Sequence, residues 1–159
     1  MNTKQSALQV CRECGAARPV YDTRNVEIVR RGLKTVVPAV SGWFCGNCEE
    51  IEFDESTDSL HRWAAAGDAL VLRDRERAKR LGERLRRQRQ KLNLTQIDAS
   101  ILAGGGHNAF SRYETGSTLP VAAVTTLFGL LEKHPELVEE ARSLAQQVQA
   151  ELQTEDVQG

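Results

Sequence analysis

Two patterns of hydrophobic and polar residues divide the chain into two parts. In the first part, Tyr21–Arg30 and Lys34–Val40 are rich in β-branched residues and flank a short turn segment around Gly32, which predicts a β-hairpin. In the second part, apolar residues recur at the three- and four-residue spacing of helices. We therefore expect an α+β protein, with a small β-rich domain over residues 1–70 and an all-α domain of five helices over residues 71–159.

The helical part carries the signals of a helix-turn-helix. Asn93 ends the first predicted helix, Thr95 is a suitable N-cap for the second, and Gly104-Gly105-Gly106 permits a sharp change of direction. A third short helix follows from about Asn108 to Thr115, with Phe110 facing the core. Three short helices with a small-residue turn are typical of domains whose last helix enters the major groove of DNA.

Two polar residues of the third predicted helix are candidates for reading bases. Asn108 and Arg112 are four positions apart and share a face. An Asn side chain can form paired hydrogen bonds with adenine, and an Arg side chain with guanine. The alternative is structural: Asn108 caps the helix and Arg112 makes a surface ion pair. Glu114, on the same helix, is expected to serve as an internal ion-pair or capping partner.

The charge is nearly balanced over the whole chain but not along it. The net charge of -1 excludes a uniformly basic protein, yet Arg73–Lys91 holds ten basic and three acidic residues. A focused basic segment next to a helix-turn-helix favours contact with a polyanion. Arg84, Arg87 and Lys91 point outward from the predicted helix and are the candidate phosphate contacts.

The last part of the chain predicts two further helices that begin near Pro120 and Pro135. The final helix carries an apolar stripe that either covers the domain's own core or joins two subunits, formed by Leu137, Ala141, Leu144, Ala145, Val148 and Leu152. Operators are commonly two-fold symmetric because the proteins that read them are dimers. We therefore expect a homodimer on a palindromic operator in double-stranded DNA.

The four cysteines form two CxxC pairs, Cys11 with Cys14 and Cys45 with Cys48, separated by thirty residues. Two such turns present four soft ligands, the tetrahedral set that Zn²⁺ prefers, and they leave no open coordination position for catalysis. A redox CxxC normally occurs as a single pair on a strand–helix unit, which is not visible in the sequence, and two disulfides would suit a secreted chain. An iron–sulfur site is chemically possible but lacks supporting spacing. We expect one structural zinc ion per chain.

Membrane, secreted and enzymatic proteins fit the sequence poorly. The longest mostly apolar stretch, Val121–Leu131, is too short to cross a bilayer, and the opening residues lack the order of a signal peptide. No Ser/His/Asp set, phosphate loop or open metal site is present, and the three histidines are scattered. We expect a cytoplasmic protein with no membrane partner that is not an enzyme.

The stretch LTQIDASILAGGGHNAFSRYETGSTLP, followed by LLEKHPELVEEAR, resembles the helix-turn-helix half of MqsA-type antitoxins. The double CxxC with its β-rich insert resembles the zinc-binding half of the same family, so the resemblance covers roughly residues 11–142. The arginine-rich segment before the helix-turn-helix and the length of chain before the first cysteine depart from the family pattern.

The resemblance implies a type II antitoxin that binds a ribonuclease toxin through its zinc domain and represses its own operon through a dimeric C-terminal domain. It implies zinc ligation by Cys11, Cys14, Cys45 and Cys48, base contacts by Asn108 and Arg112, and phosphate contacts by Gln96 and Ser111. Two other functions remain open: a zinc-containing helix-turn-helix repressor without a toxin, and a zinc-dependent protein-interaction adaptor whose helical half only dimerises.

Overall fold

The computed structural model of the chain describes residues 10–15 and 18–155, with only the backbone for 153–155. Contacts divide the chain into two compact units, one that ends at Asp74 and one that begins at Arg75. None of the helices in the described part of the chain combines the length and the apolar character needed to cross a bilayer.

The first unit contains a three-stranded antiparallel sheet in the order β1-β2-β3. Its strands are β1 (Val20–Arg30), β2 (Leu33–Phe44) and β3 (Ile51–Phe53). Arg31 and Gly32 both have positive φ, 46° and 79°, as in the two-residue turns that match the twist of a hairpin. The predicted hairpin is confirmed, whereas the short third strand was not predicted.

An irregularity in the hairpin shifts which residues of β2 face the core. The pairing slips between Arg24 and Val26, and Ala39 opposite this point has a φ of +49°. The side-chain oxygen of Asn25 accepts a hydrogen bond from the backbone amide of Ala39 at 3.0 Å. In a regular strand every second residue faces the core, but along β2 the next buried residue after Val37 is Val40, three positions further on.

The first unit has a small core. Val37, Val40 and Phe44 are buried, and partly buried side chains from β1, from β3 and from Ala66 pack against them. The ring centroids of Phe53 and Trp63 are 5.5 Å apart. So small a core buries little apolar surface, and the unit therefore needs a further source of stability.

Helix α1 (Ser59–Lys91) is longer than the sequence predicted. The domain boundary that the sequence predicts at residue 70 falls inside this helix. In the structure the helix continues through Gly67, and Leu70 is 1% exposed. Alanine is the strongest helix former, and one interior glycine costs only about 1 kcal/mol, so the helix does not break.

The second unit consists of the C-terminal half of α1 and four further helices. These are α2 (Gln96–Leu102), α3 (Ala109–Glu114), α4 (Ala122–Lys133) and α5 (Val138–Glu155), the last preceded by a 3₁₀ turn over Pro135–Leu137. They enclose one core of nine buried residues: Leu85, Leu94, Ala99, Leu102, Phe110, Val124, Phe128, Leu131 and Val138. The observed α+β architecture agrees with the predicted fold class.

Candidate metal centre and nucleic-acid interface

The four cysteine sulfurs of the first unit converge on one point. The Sγ atoms of Cys11, Cys14, Cys45 and Cys48 all lie within 4.8 Å of one another. Two pairs are closer still, at 3.7 Å between Cys11 and Cys48 and 3.6 Å between Cys14 and Cys45. The hairpin that separates the two CxxC turns along the chain brings them together, because Val20 pairs with Phe44 at its open end.

These distances fit a tetrahedral metal ion. Four thiolates at about 2.3 Å from a central Zn²⁺ lie about 3.8 Å from one another, which is close to the two shorter separations. Cys11 and Cys45 are buried, so the cluster is partly shielded from water. All four thiolates are engaged in such an arrangement, and the site supports a structural ion and not one that binds substrate.

The thiols of the cluster differ in acidity. Hydrogen bonds from the backbone amides of Asn47 and Cys48 lower the pKa of Cys45 to about 6. For Cys48, a backbone hydrogen bond involving Glu50 lowers the pKa, but burial and the neighbouring sulfurs outweigh it and raise the pKa to about 12. A cation bound among the four sulfurs would favour the thiolate form of each cysteine.

Helix α2 begins with Thr95, the N-cap that the sequence predicted. The hydroxyl oxygen of Thr95 accepts a hydrogen bond from the Asp98 amide, and the Asp98 carboxylate accepts one from the Thr95 amide at 2.9 Å. The hydroxyl of Thr95 also donates to that carboxylate, and these hydrogen bonds lower the pKa of Asp98. The reciprocal pair satisfies two amides at the start of α2.

Thr95→Ala is expected to lower the free energy of unfolding by about 1 kcal/mol at neutral pH, because it removes this cap. The lowered pKa of Asp98 means that its carboxylate stabilises the fold above the ordinary pKa of aspartate, and that this contribution is lost as pH falls through the lowered value. The difference from the parent protein should therefore shrink below about pH 4. Urea unfolding followed by helical circular dichroism measures it. Thr126→Ala on α4 is the control, and an equal loss there would contradict the assignment.

A buried serine joins α2 to the start of α3. Ser100 is 2% exposed, its hydroxyl donates to the carbonyl oxygen of His107 at 3.3 Å, and it accepts from the amide of Phe110 at 3.2 Å. It thereby satisfies an amide of the first turn of α3, which an N-cap side chain usually does. Sequence reasoning missed this role, because the two partners are up to ten residues away.

The two predicted base-reading residues are exposed. Asn108 occupies the N-cap position of α3 but makes no capping hydrogen bond with its side chain, whose oxygen lies 3.3 Å from His107 Nδ1. Arg112 is exposed on the next turn of α3 and has no ion pair within the described part of the chain. The structural alternative, a capping asparagine and an ion-paired arginine, is therefore not what the described residues show.

Glu114 connects three helices at the end of α3. Its carboxylate is 5% exposed and accepts from Arg89 of α1 at 2.5 Å and from the amide nitrogen of Gln96 of α2 at 2.7 Å. Arg89 also donates to the carbonyl oxygen of Leu94 at 2.8 Å. The predicted internal ion pair of Glu114 is thus present. Gln96, a predicted phosphate contact, is exposed at the start of α2, and its side-chain amide donates a hydrogen bond to Glu114.

The other predicted phosphate contacts lie in different surroundings. Ser111 is half-buried beside the exposed face of α3, and Arg84 and Arg87 are exposed on α1. Lys91 donates to the Glu132 carboxylate of α4 at 2.6 Å. The lysine charge is therefore compensated by an acidic neighbour.

Two glycines allow α1 to lie directly against α3, and sequence reasoning missed both contacts. A Cβ atom at Gly82 would stand 2.1 Å from the carbonyl oxygen of Tyr113, and one at Gly116 would stand 2.9 Å from Cγ of Lys79. Gly116 also has a φ of +71°, which favours glycine. An isolated glycine inside a helical pattern, as at Gly82, is the signal that could have indicated this close approach.

Comparison with known proteins agrees with this geometry. The family model described as "Antitoxin component of bacterial toxin-antitoxin system, MqsA" matches residues 9–142. Antitoxin MqsA of Escherichia coli (strain K12) is 37% identical over 133 residues, which cover 83% of this chain and 98% of that protein. The match includes both CxxC pairs and the whole helix-turn-helix. The chain belongs to the MqsA family and is an antitoxin of a bacterial toxin–antitoxin system.

Proposed function

We propose that this antitoxin holds one structural zinc ion, neutralises a ribonuclease toxin through its first unit, and represses its own operon through its second. The observation that supports the repressor function is the exposure of two polar side chains on α3. Asn108 and Arg112 are both exposed, and within the described ranges their side chains have no partner that would compete with a base, apart from the contact of Asn108 with His107. Since Ser100 satisfies the Phe110 amide, the Asn108 side chain is not needed to cap that amide.

The spacing of these residues suits two neighbouring base pairs. One helical turn separates Asn108 from Arg112, a rise of about 6 Å, which is less than two base-pair steps of 3.4 Å. Asparagine pairs with the N6 and N7 atoms of adenine and arginine with the O6 and N7 atoms of guanine in the major groove. Phosphate contacts from Gln96, Ser111 and the basic part of α1 would hold this register.

Asn108→Ala and Arg112→Ala are each expected to cost roughly 1–3 kcal/mol of discrimination between operator and random DNA, because each removes a bidentate base contact. Affinities for both duplexes are measured at one salt concentration, with the variants' circular dichroism as a check of folding. Lys133→Ala removes an exposed charge elsewhere and is the control. If the variants lost affinity equally on both duplexes, α3 would not read bases.

Zinc is the metal that the ligand set favours. Four thiolates in a tetrahedral arrangement select zinc or an iron–sulfur centre among common metals, and the paired CxxC spacing is that of structural zinc sites. Thiolate ligation also requires a compartment in which the cysteines stay reduced, which agrees with the cytoplasmic location expected from the sequence.

The first unit offers a surface for a protein partner. Strand β1 is an edge of the three-stranded sheet and is eleven residues long. A groove of about 900 Å³ runs beside it, with an apolar lining from Val26, Ile28, Phe44, Ile51, Phe53 and Trp63. A toxin strand added to β1 would gain main-chain hydrogen bonds at the edge and apolar contacts in the groove.

The homodimer is supported by the apolar stripe of α5. Ala141 packs against the core of the second unit, but Leu144, Val148 and Leu152 are 54–60% exposed although they recur every fourth residue. Leu137, from the same stripe, is 42% exposed. An exposed stripe of this length buries its apolar surface when a second copy packs against it.

Leu144→Glu combined with Val148→Glu is expected to convert the dimer into a monomer, because it places two charges in the apolar contact. Light scattering during gel filtration at micromolar concentration gives the mass of each species. The control is Ala150→Glu, an exposed position on the same helix. A double variant that kept the dimer mass would place the subunit contact elsewhere.

A further inference from the structure

The basic residues of the second unit's part of α1 lie on two nearly opposite faces. One face, here called the α3-side face, consists of Arg75, Lys79, Gly82, Arg86 and Arg89 at spacings of four and three residues. The other, the α4-side face, consists of Arg77, Arg80, Arg84, Arg87 and Lys91 at the same spacings. Two residues along a helix correspond to a rotation of about 200°, so Arg84 points nearly opposite to Gly82, and Lys91 to Arg89.

The α3-side face is packed along the end of α3. Gly82 lies against the Tyr113 carbonyl, Lys79 against Gly116, and Arg89 is bonded to Glu114. The three contacts span the eleven residues of α1 from Lys79 to Arg89, about three turns. This face therefore lies beside the C-terminal end of the helix that carries Asn108 and Arg112.

The α4-side face lies against α4 and is partly neutralised. Lys91 bonds to Glu132, and the positive charges of Lys91 and Arg84 contribute to lowering the pKa of that carboxyl. The guanidinium of Arg84 is also the nearest group to a Cβ placed on Gly129 of α4, at 3.8 Å. This face is thus directed away from α3, although the sequence marked it as the basic one.

The α3-side cations keep their charge available. Arg75, Lys79 and Arg86 are exposed, and none forms an ion pair with an acidic residue of the described ranges. The major groove is about 12 Å wide, so a helix packed against the reading helix comes close to one of the two phosphate backbones that border it.

From this placement we propose that Arg75, Lys79 and Arg86 form a surface that contacts the phosphates of the same DNA duplex that α3 reads. The inference rests on the proposed repressor function. Phosphate contacts add affinity that does not depend on sequence, whereas Asn108 and Arg112 supply the discrimination.

The test compares two double variants that each remove two exposed charges from the full-length, metal-loaded protein. Lys79→Gln/Arg86→Gln alters the α3-side face, and Arg80→Gln/Lys133→Gln is the matched control. Affinities for operator and random duplex are measured at several salt concentrations from about 50 to about 200 mM, a range in which phosphate contacts change the affinity strongly. The α3-side variant should lower the slope of log affinity against log salt by about 1.8, equally on both duplexes, because each lost contact is worth about 0.9.

The outcomes separate this inference from the function it rests on. A slope change of about 1.8 in the α3-side variant, and less than half of that in the control, supports the surface. Equal changes in the two variants, or none in the α3-side variant, overturn it while leaving operator recognition by α3 intact. If the parent protein did not prefer its operator at all, the repressor function itself would fail, whatever the slopes.

Discussion

Replacing Cys45 by serine is expected to release the metal and to unfold the first unit. Zinc bound by such thiolate sites contributes roughly 10–16 kcal/mol of apparent binding free energy, which is coupled to folding. Among the described residues, the buried cluster on the unit's sheet consists of Val37, Val40 and Phe44. Because whole domains are stable by only about 5–15 kcal/mol, a core of this size cannot compensate for the lost ion.

Fluorescence can follow this unfolding selectively. Both tryptophans of the chain, Trp43 and Trp63, lie in the first unit. The variant should show the red-shifted emission of exposed tryptophan, while most of the helical circular dichroism persists. Elemental analysis should find one zinc per parent chain and none in the variant, and a chelator added to the parent protein should reproduce the variant's spectrum.

The same variant tests the proposed division of labour between the two units. When it is expressed with a toxin that the parent protein neutralises, it should no longer restore growth, because the unit proposed to bind the toxin is unfolded. Its preference for operator over random DNA should remain, because the cysteines lie outside the second unit. Native tryptophan emission in the metal-free variant, or loss of operator binding together with toxin neutralisation, would contradict this division.

Sequence reasoning succeeded where the signal is local. The CxxC turns, the hairpin around Gly32, the cap at Thr95 and the helix from Asn108 are each specified by residues within a few positions of one another. Strand β3 pairs with β2 across the second CxxC turn, and its three residues are too few to show the alternation that would predict a strand. The early start of α1 was missed because alanines and a glycine carry little amphipathic pattern.

Contacts between distant segments were beyond the reach of the sequence pattern. Periodicity showed that Arg84, Arg87 and Lys91 share a face of α1, but not which helix that face meets. The answer depends on Gly82 and Gly116, whose lack of a side chain brings α3 to the opposite face. The same limit applies to Ser100, whose hydroxyl reaches the first turn of α3 only after the glycine turn has folded.

Glu114→Ala is expected to cause the largest loss of stability from a single change in the second unit, about 3–5 kcal/mol in the free energy of unfolding. Glu114 and Arg89 are 5% and 14% exposed, so removal of the carboxylate leaves a guanidinium that is desolvated and unpaired. Gln96 of α2 loses its acceptor in the same variant. Urea denaturation followed by circular dichroism measures the loss, and hydrogen exchange of the α3 amides locates it.

The origin of that loss can be isolated with two further variants. Glu139→Ala removes a carboxylate that is 80% exposed and 3.8 Å from Arg142, so it should change stability by less than about 1 kcal/mol. Arg89→Met combined with Glu114→Gln removes both charges and should recover most of the stability, because the penalty comes from the unpaired charge. If the double variant were as unstable as Glu114→Ala, the geometry of the hydrogen bonds, and not the buried charge, would hold α1 and α2 to α3.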